Sequence, residues 1–436
     1  MEKQLERQAA QGVQPAGQEA AALPQAPVPD LLAAPSAAAL PCLQPLYLRR
    51  FVCDGSLCGS LCCCAKWGVA LDEATLARCG KKPELLRELK NGIERSETGG
   101  WVMRHENERC VFLREDGLCS LQRRFGIGAI SDVCAEYPRK THRVGETLDR
   151  TLCLSCPVAA EAALLDPSPM AFEWVEHAAP RPAYVDENPL GAALSAEAFR
   201  ALQLAALSLL EERRLTLDAR LAALGLLLAR AETYPDGGGN LERDAAAIAE
   251  AAAGQAGVLL AENPFDASLC LEFFTSLLPA LAAAAEDDLP ETEVRLASLR
   301  TVLGKKAGKG DLPAFLHLYG QYKEQIFRPY SYILENWLVN EFLLGRYPLM
   351  GGTGFLANYE VFVVLYKMLV FLLTVDASAY SAGKEVSPVP LILAAVRYLA
   401  VRTNHFPGYI DQLAGTIADL LPGDHLLSLL DGQSEA

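Results

Sequence analysis

FVCDGSLCGSLCCCAKW, residues 51–67, sets five cysteines into one short run, and Cys62, Cys63 and Cys64 are consecutive. Three adjacent thiols are hard to account for as small core hydrophobes. Three more groups follow: Cys110-x8-Cys119 in CVFLREDGLC, Cys134 ahead of Tyr137-Pro138-Arg139, and Cys153 with Cys156 in LCLSCP. Eleven of the thirteen cysteines lie from Cys53 to Cys156; only Cys42 and Cys270 fall outside, and these read as buried hydrophobes. Such concentration in an intracellular chain points to metal binding or redox chemistry.

The donor set narrows the metal. His105 and His142 are the only imidazoles within that interval, so an all-thiolate site is more natural than a mixed Cys/His finger. Clustered thiolates suit an iron–sulfur cluster or zinc, and there are more of them than one structural zinc needs. The candidate ligands are Cys53, Cys58, Cys62, Cys63, Cys110, Cys119, Cys134 and Cys156, with Cys64 competing for the place of Cys62. A C-x3-C-x2-C radical arrangement would need a cysteine at 65, where Ala65 stands, and the bacterial ferredoxin run is absent. No G-x-G-x-x-G after a strand, P-loop or G-x-S-x-G occurs.

Outward from the cysteines, the chain divides into three. Residues 1–40 are rich in Ala, Pro and Gln and read as a disordered tail. Residues 41–180 form the Cys-rich part, near neutral with 18 basic and 19 acidic side chains. Residues 181–436 carry 19 basic and 31 acidic side chains, so nearly all of the net charge of −15 comes from there. That balance argues against nucleic acid and against a hold on anionic lipid. The expected boundary is the Ala178–Pro182 stretch. Beyond it, leucines at three- to four-residue steps predict helices over 196–213 and 217–231, with Ser195 and Thr216 as caps. Further helices are expected at about 241–261, 269–284, 290–303, 313–327, 330–344, 355–375, 389–402 and 408–421. In the Cys-rich part, 67–71 and 100–103 read as strands, and 72–79 and 82–93 as helices. The expected fold is mainly α, a small Cys-rich metal or cluster domain followed by a larger all-helical domain.

The apolar run Val361–Val375 is broken by Lys367 and reads as a buried helix, since a bilayer crossing needs about 20 apolar residues. The start, MEKQLERQAAQG, has no apolar core of an export signal, so a cytoplasmic location with reduced thiols is expected.

In their order, FVCDGSLCGSLCCCAKW, CVFLREDGLCSLQRRFG, ISDVCAEYPRKTHRV and LCLSCPVAAEAAL resemble the flagellin lysine-N-methylase family, within the wider CxxCxxCC group. The likeness continues in Glu335-Asn336-Trp337-Leu338-Val339-Asn340 and Tyr347-Pro348, covering about residues 43–410. The first group has gained one residue, which leaves Cys63 common to both registers. Cys153 is extra, and the Ala-rich tail lies outside the pattern. The resemblance implies methyl transfer from S-adenosylmethionine to lysine ε-amines of flagellin, with an iron–sulfur cluster, 4Fe-4S in type, in the Cys-rich part. A non-enzymatic zinc-structured binding module is the alternative.

Methylating lysine requires its neutral amine, and free lysine has a pKa near 10.4. Tyr137 and Glu335 are the leading expected proton acceptors, with Glu136 and His405 behind them; each also has a plain role in packing, solvation or capping. Arg139 either seats a donor carboxylate or pairs with Glu136. Asn336 and Asn340 share a helix face and either line a pocket or bond a neighbour.

Overall fold

The computed structural model describes residues 39–53, 55, 58–64, 68–96, 99–178, 185–187, 194–234, 239–283, 310–350, 354–377, 387–406, 408–421 and 425–432. The tail before residue 39, all of the expected boundary Ala178–Pro182 except Ala178 itself, Trp67 and the helix expected over 290–303 lie outside them.

A five-stranded sheet was not expected. It runs β10-β7-β8-β1-β9, from β1 (Ala39–Pro45), β7 (Arg139–Val144), β8 (Thr147–Leu152), β9 (Phe172–Ala178) and β10 (Val185–Glu187). β7 and β8 form an antiparallel hairpin, β1 joins β8 in parallel and β9 antiparallel, and β10 lies parallel to β7. The hairpin reads RKTHRV and TLDRTL, so it offers no apolar alternation from which to infer a strand. Thr141, His142, Asp149 and Thr151 are instead buried. Asp149 binds Arg200 and Gln203, and Thr151 donates to Asn340 at 2.7 Å. β10 also places a strand in the part expected to be all helical.

Between β1 and β7 lie short elements: β2 (Ala70–Leu71), α1 (Glu73–Gly80), α2 (Pro83–Lys90), β3 (Ile93–Arg95), β4 (Trp101–Met103), β5 (His105–Glu106), β6 (Arg109–Cys110), α3 (Ser120–Phe125) and α4 (Asp132–Glu136). The expected strands pair as β2 and β4, Leu71 opposite Trp101. Asp72 caps α1 by accepting from the Thr75 amide at 2.6 Å. This region has its own small core around Val69, Leu85, Leu89, Phe112 and Leu121. Gly92 permits it, because a Cβ there would overlap the Phe112 ring.

The helices follow their apolar periodicity: α5 (Pro157–Leu164), α6 (Ala196–Leu210), α7 (Leu217–Ala231), α8 (Leu241–Glu262), α9 (Ala267–Ala283) and α10 (Leu312–Tyr322). Ser195 and Thr216 cap α6 and α7, each accepting from the third amide onward at 3.1 Å. A π turn over Lys323–Phe327 leads into α11 (Arg328–Leu344), followed by α12 (Phe355–Asp376), α13 (Val389–His405) and α14 (Tyr409–Leu420). α12 is the one described helix long and apolar enough to cross a membrane; it is buried here, with Lys367 paired to Asp218 at 3.1 Å.

α11 ties the sheet to the helices. Asn336 donates to the carbonyls of Leu164 and Asp166 at 3.1 and 2.8 Å, and Asn340 donates to Leu152 at 3.2 Å while accepting from Tyr47 and Thr151. Both amides therefore serve packing, against backbone carbonyls. Tyr47, Phe51, Val144, Leu152 and Leu154 consequently belong to the large core of the helices rather than to the small one.

Candidate functional site

None of the thirteen cysteines forms a disulfide. Short elements carry most of the predicted ligands. Cys62 and Cys63 occupy one tight turn, Cys110 ends β6, Cys119 and Cys156 precede α3 and α5, and Cys134 lies within α4. Cys119 receives the amides of Leu121 and Gln122, and Cys156 those of Val158 and Ala159. Such amides ease thiolate formation.

The thiols feel one another. The Cys63 S–H bonds Cys62 and holds the Cys62 thiol below its usual range, so Cys63 is raised by that bond, then by burial and by Cys134 and Cys110. Burial raises Cys134 and Cys110 first. The charges of Cys119, Cys110 and Cys62 then act on Cys134, and those of Cys119 and Cys64 on Cys110. Burial pushes Cys156 up to about 12, with Cys58 and Cys62 adding to it. The eight-ligand expectation thus gains a common neighbourhood for seven members plus Cys64; of the eight, Cys53 and Cys134 are exposed. Among the described residues, no three Cys, His, Asp or Glu side chains converge closely enough to hold a metal ion as they stand. The chemistry of the donor set does fit one: thiols raised by burial and by each other lack a positive charge to offset them as thiolates.

Beside this nest lies a polar relay. Tyr137 is half-buried and lies within electrostatic reach of Cys62, Cys153 and Cys156. Its hydroxyl stands 2.9 Å from Ser155 Oγ, which lies 2.8 Å from His405 Nε2 and 2.9 Å from Cys153 Sγ. The Tyr137 and His405 rings are 5.8 Å apart. Burial and then the charge of Lys140 bring His405 down to about 4, so its imidazole is neutral near pH 7. His405 closes α13 and does not open the next helix as the sequence suggested.

The other expected site residues separate. Glu335 does not join Tyr137. Its carboxylate accepts from Arg213 and Arg220, each at 2.7 Å at closest, which makes it a structural counter-ion and not an available base. Glu136 pairs with Arg150 at 2.9 Å, so it is neither a free base nor the partner of Arg139. The Arg139 guanidinium lies 5.0 Å from the Phe51 ring centroid, and among the described residues no carboxylate pairs with it. Its charge, after burial and Arg150, helps bring His177 down to about 4.

Ser155 and Glu341 were not singled out from the sequence. Ser155 had a signal in its place between Cys153 and Cys156. Glu341 had one too, as a carboxylate inside the apolar helix run Trp337–Leu344.

The family described as FliB lysine N-methylase C-terminal domain matches residues 203–429. The chain is 29% identical over 136 residues to a lysine-N-methylase of Salmonella typhimurium, covering 30% of this chain and 34% of that protein. It is 30% identical over 136 residues to the flagellar biosynthetic protein FliU of Salmonella muenchen, covering 30% of this chain and 80% of that one. The lysine-N-methylase of Salmonella choleraesuis is 29% identical over 136 residues, 34% of its length. The matched segment is thus about a third of either lysine-N-methylase. No solved structure matches the chain.

Proposed function

This chain belongs to the FliB lysine N-methylase family, and we propose that it transfers a methyl group from S-adenosylmethionine to lysine ε-amines of flagellin, in the cytoplasm. One observation carries the reading beyond the family: the Tyr137 hydroxyl bonds Ser155, which lies against His405, while the charges of Cys62, Cys153 and Cys156 reach it. A cofactor held by cysteines would therefore border a half-buried, hydrogen-bonded tyrosine.

Three of Cys58, Cys62, Cys63, Cys110, Cys119, Cys134 and Cys156, with Cys64 able to replace one of them, would hold the iron–sulfur cluster and leave one iron open. When bound, such a cluster supplies a cationic centre to which a donor's amino and carboxylate groups can bind. Arg139 serves the same donor from the protein side, as a guanidinium without a carboxylate partner among the described residues. The relay orients rather than neutralises. A neutral imidazole accepts the hydrogen bond at Nε2, which fixes the Ser155 hydroxyl, and Ser155 fixes Tyr137. Tyr137 itself stays protonated, because burial and the nearby thiols raise it far above the ordinary phenol range. Its role is to position the incoming amine and exclude water around it.

The test is direct. Anaerobically purified protein should contain iron and sulfide, and with S-adenosylmethionine and flagellin it should add methyl groups to lysine peptides, read by mass spectrometry. A colourless zinc protein that leaves flagellin unmodified would instead support the non-enzymatic module.

A further inference from the structure

Most buried carboxylates of this chain are visibly compensated. Asp218 has Lys367 at 3.1 Å, Glu335 has two arginines, and Asp149 has Arg200 and Gln203. Glu341 differs. It lies on α11, one residue beyond the Asn340 that clamps the sheet, and it is 5% exposed. No hydrogen bond or ion pair among the described residues reaches its carboxyl. A buried charge without a partner costs several kcal/mol, so such a group is expensive unless something else meets it.

The surroundings indicate what that is. Tyr347, in the turn after α11, is 1% exposed, and its Oη has no hydrogen-bond partner. The charge of Glu341 acts on Tyr347, so a partnerless carboxyl and a partnerless phenol share one neighbourhood. The same charge reaches Cys153, whose sulfur touches Ser155 2.9 Å away, and Ser155 bonds Tyr137. Glu341 therefore lies within electrostatic reach of both Tyr347 and Cys153, the thiol that touches the relay at Ser155. A sulfonium has no N–H to give a carboxylate, whereas a primary ammonium has three. The vacant acceptor fits an ammonium, and because the donor's own α-ammonium is assigned above to the cluster, the one left for Glu341 is the substrate's.

We propose that Glu341 is the seat of the substrate's lysine ε-ammonium and the group that takes its proton, an inference that rests on the lysine methyl-transfer reading above. The step balances simply. The ammonium gives one proton to the Glu341 carboxylate and becomes a neutral amine. The nitrogen lone pair then attacks the methyl carbon of the sulfonium donor; the C–S bond breaks, and its electron pair stays on sulfur, leaving a thioether. The product is a methylammonium, and Glu341 passes its proton to water. Tyr347 Oη accepts one ammonium N–H while the amine is held. Burial brings Glu341 up to about 7, where a carboxylate is a more effective base at neutral pH than an exposed one.

The experiment compares full-length wild type with Glu341→Gln and Glu341→Ala. It reads methyl transfer to a lysine peptide, peptide affinity by calorimetry, and S-adenosylmethionine affinity. Glu341→Gln should fold, bind the donor as wild type does, bind the peptide about 10-fold more weakly, and lose roughly 100-fold in kcat, the scale of general base catalysis. Added formate should restore part of the Glu341→Ala rate, which a packing role would not produce. A Glu341→Gln variant with wild-type kcat and peptide affinity overturns the proposal and leaves methyl transfer standing. If wild type itself transfers no methyl but loses peptide affinity with Glu341→Gln, the ammonium seat stands and the methyl-transfer reading falls.

Discussion

Ser155 Oγ lies 2.8 Å from His405 Nε2, joining the end of the Cys-rich region to the last turn of a helix 250 residues later. That one bond brings residues from the two ends of the described chain to Tyr137. Ser155→Ala removes the middle of the relay and leaves Tyr137 and His405 without their shared partner. We predict a fall in kcat of about 10-fold or more, with iron content unchanged, and a stability loss of about 1 kcal/mol for the lost hydrogen bonds. Steady-state rates and thermal unfolding check it; a full rate in Ser155→Ala would mean that the relay only packs.

The thiols should divide by neighbourhood. Single Cys→Ser changes at Cys62, Cys63, Cys110, Cys119 or Cys134 are expected to lower bound iron and sulfide strongly. The same change at Cys42 or Cys270, both buried apart from the nest, should leave metal content at the wild-type level. Elemental analysis of anaerobic samples reads this, and equal metal loss in both sets would remove the nest as the binding place.

Glu341 makes stability depend on pH in a definite direction. Its folded pKa, about 7, lies above the ordinary 4.5, so between those values the folded state binds more protons than the unfolded state. Stability from this group is present below pH 4.5 and is lost as pH rises through 7. Glu341→Gln removes the penalty. It should be more stable than wild type by about 3 kcal/mol at pH 8, from roughly 2.5 pKa units, and equal to it near pH 4. Denaturant titrations at the two pH values would refute this if the difference were constant.

Glu335 should behave in the opposite way. It pairs with Arg220, whose side chain is 4% exposed, so Glu335→Ala leaves a buried guanidinium uncompensated. The expected cost is about 3–5 kcal/mol. Below the lowered melting point the folded enzyme should keep its methyl-transfer rate. A rate loss with unchanged stability would return Glu335 to the chemistry.

Asn340 and Glu341 are neighbours in sequence with opposite fates, and they mark the limit of sequence reading. Helices α6 to α14 were legible because their leucines recur at the helical period, whatever they pack against; Ser195 and Thr216 were legible because capping is a local bond. The hairpin β7–β8 was not, since its polar residues signal a strand only once Asn340, Arg200 and Gln203 are in place to satisfy them. Glu335 looked like a base and is an ion-pair partner, because Arg213 and Arg220 lie more than 100 positions away in the chain.

The sequence by itself determined that eleven of the thirteen cysteines fall between Cys53 and Cys156, and apolar periodicity determined that helices make up most of the rest. Only the tertiary structure decided which thiols share a neighbourhood, that Tyr137 meets Ser155 and His405, and that Glu341 is left without a partner. Periodicity and capping act over a few residues and are written along the chain. Burial and charge pairing depend on what arrives from distant segments, and they exist only after the chain has folded.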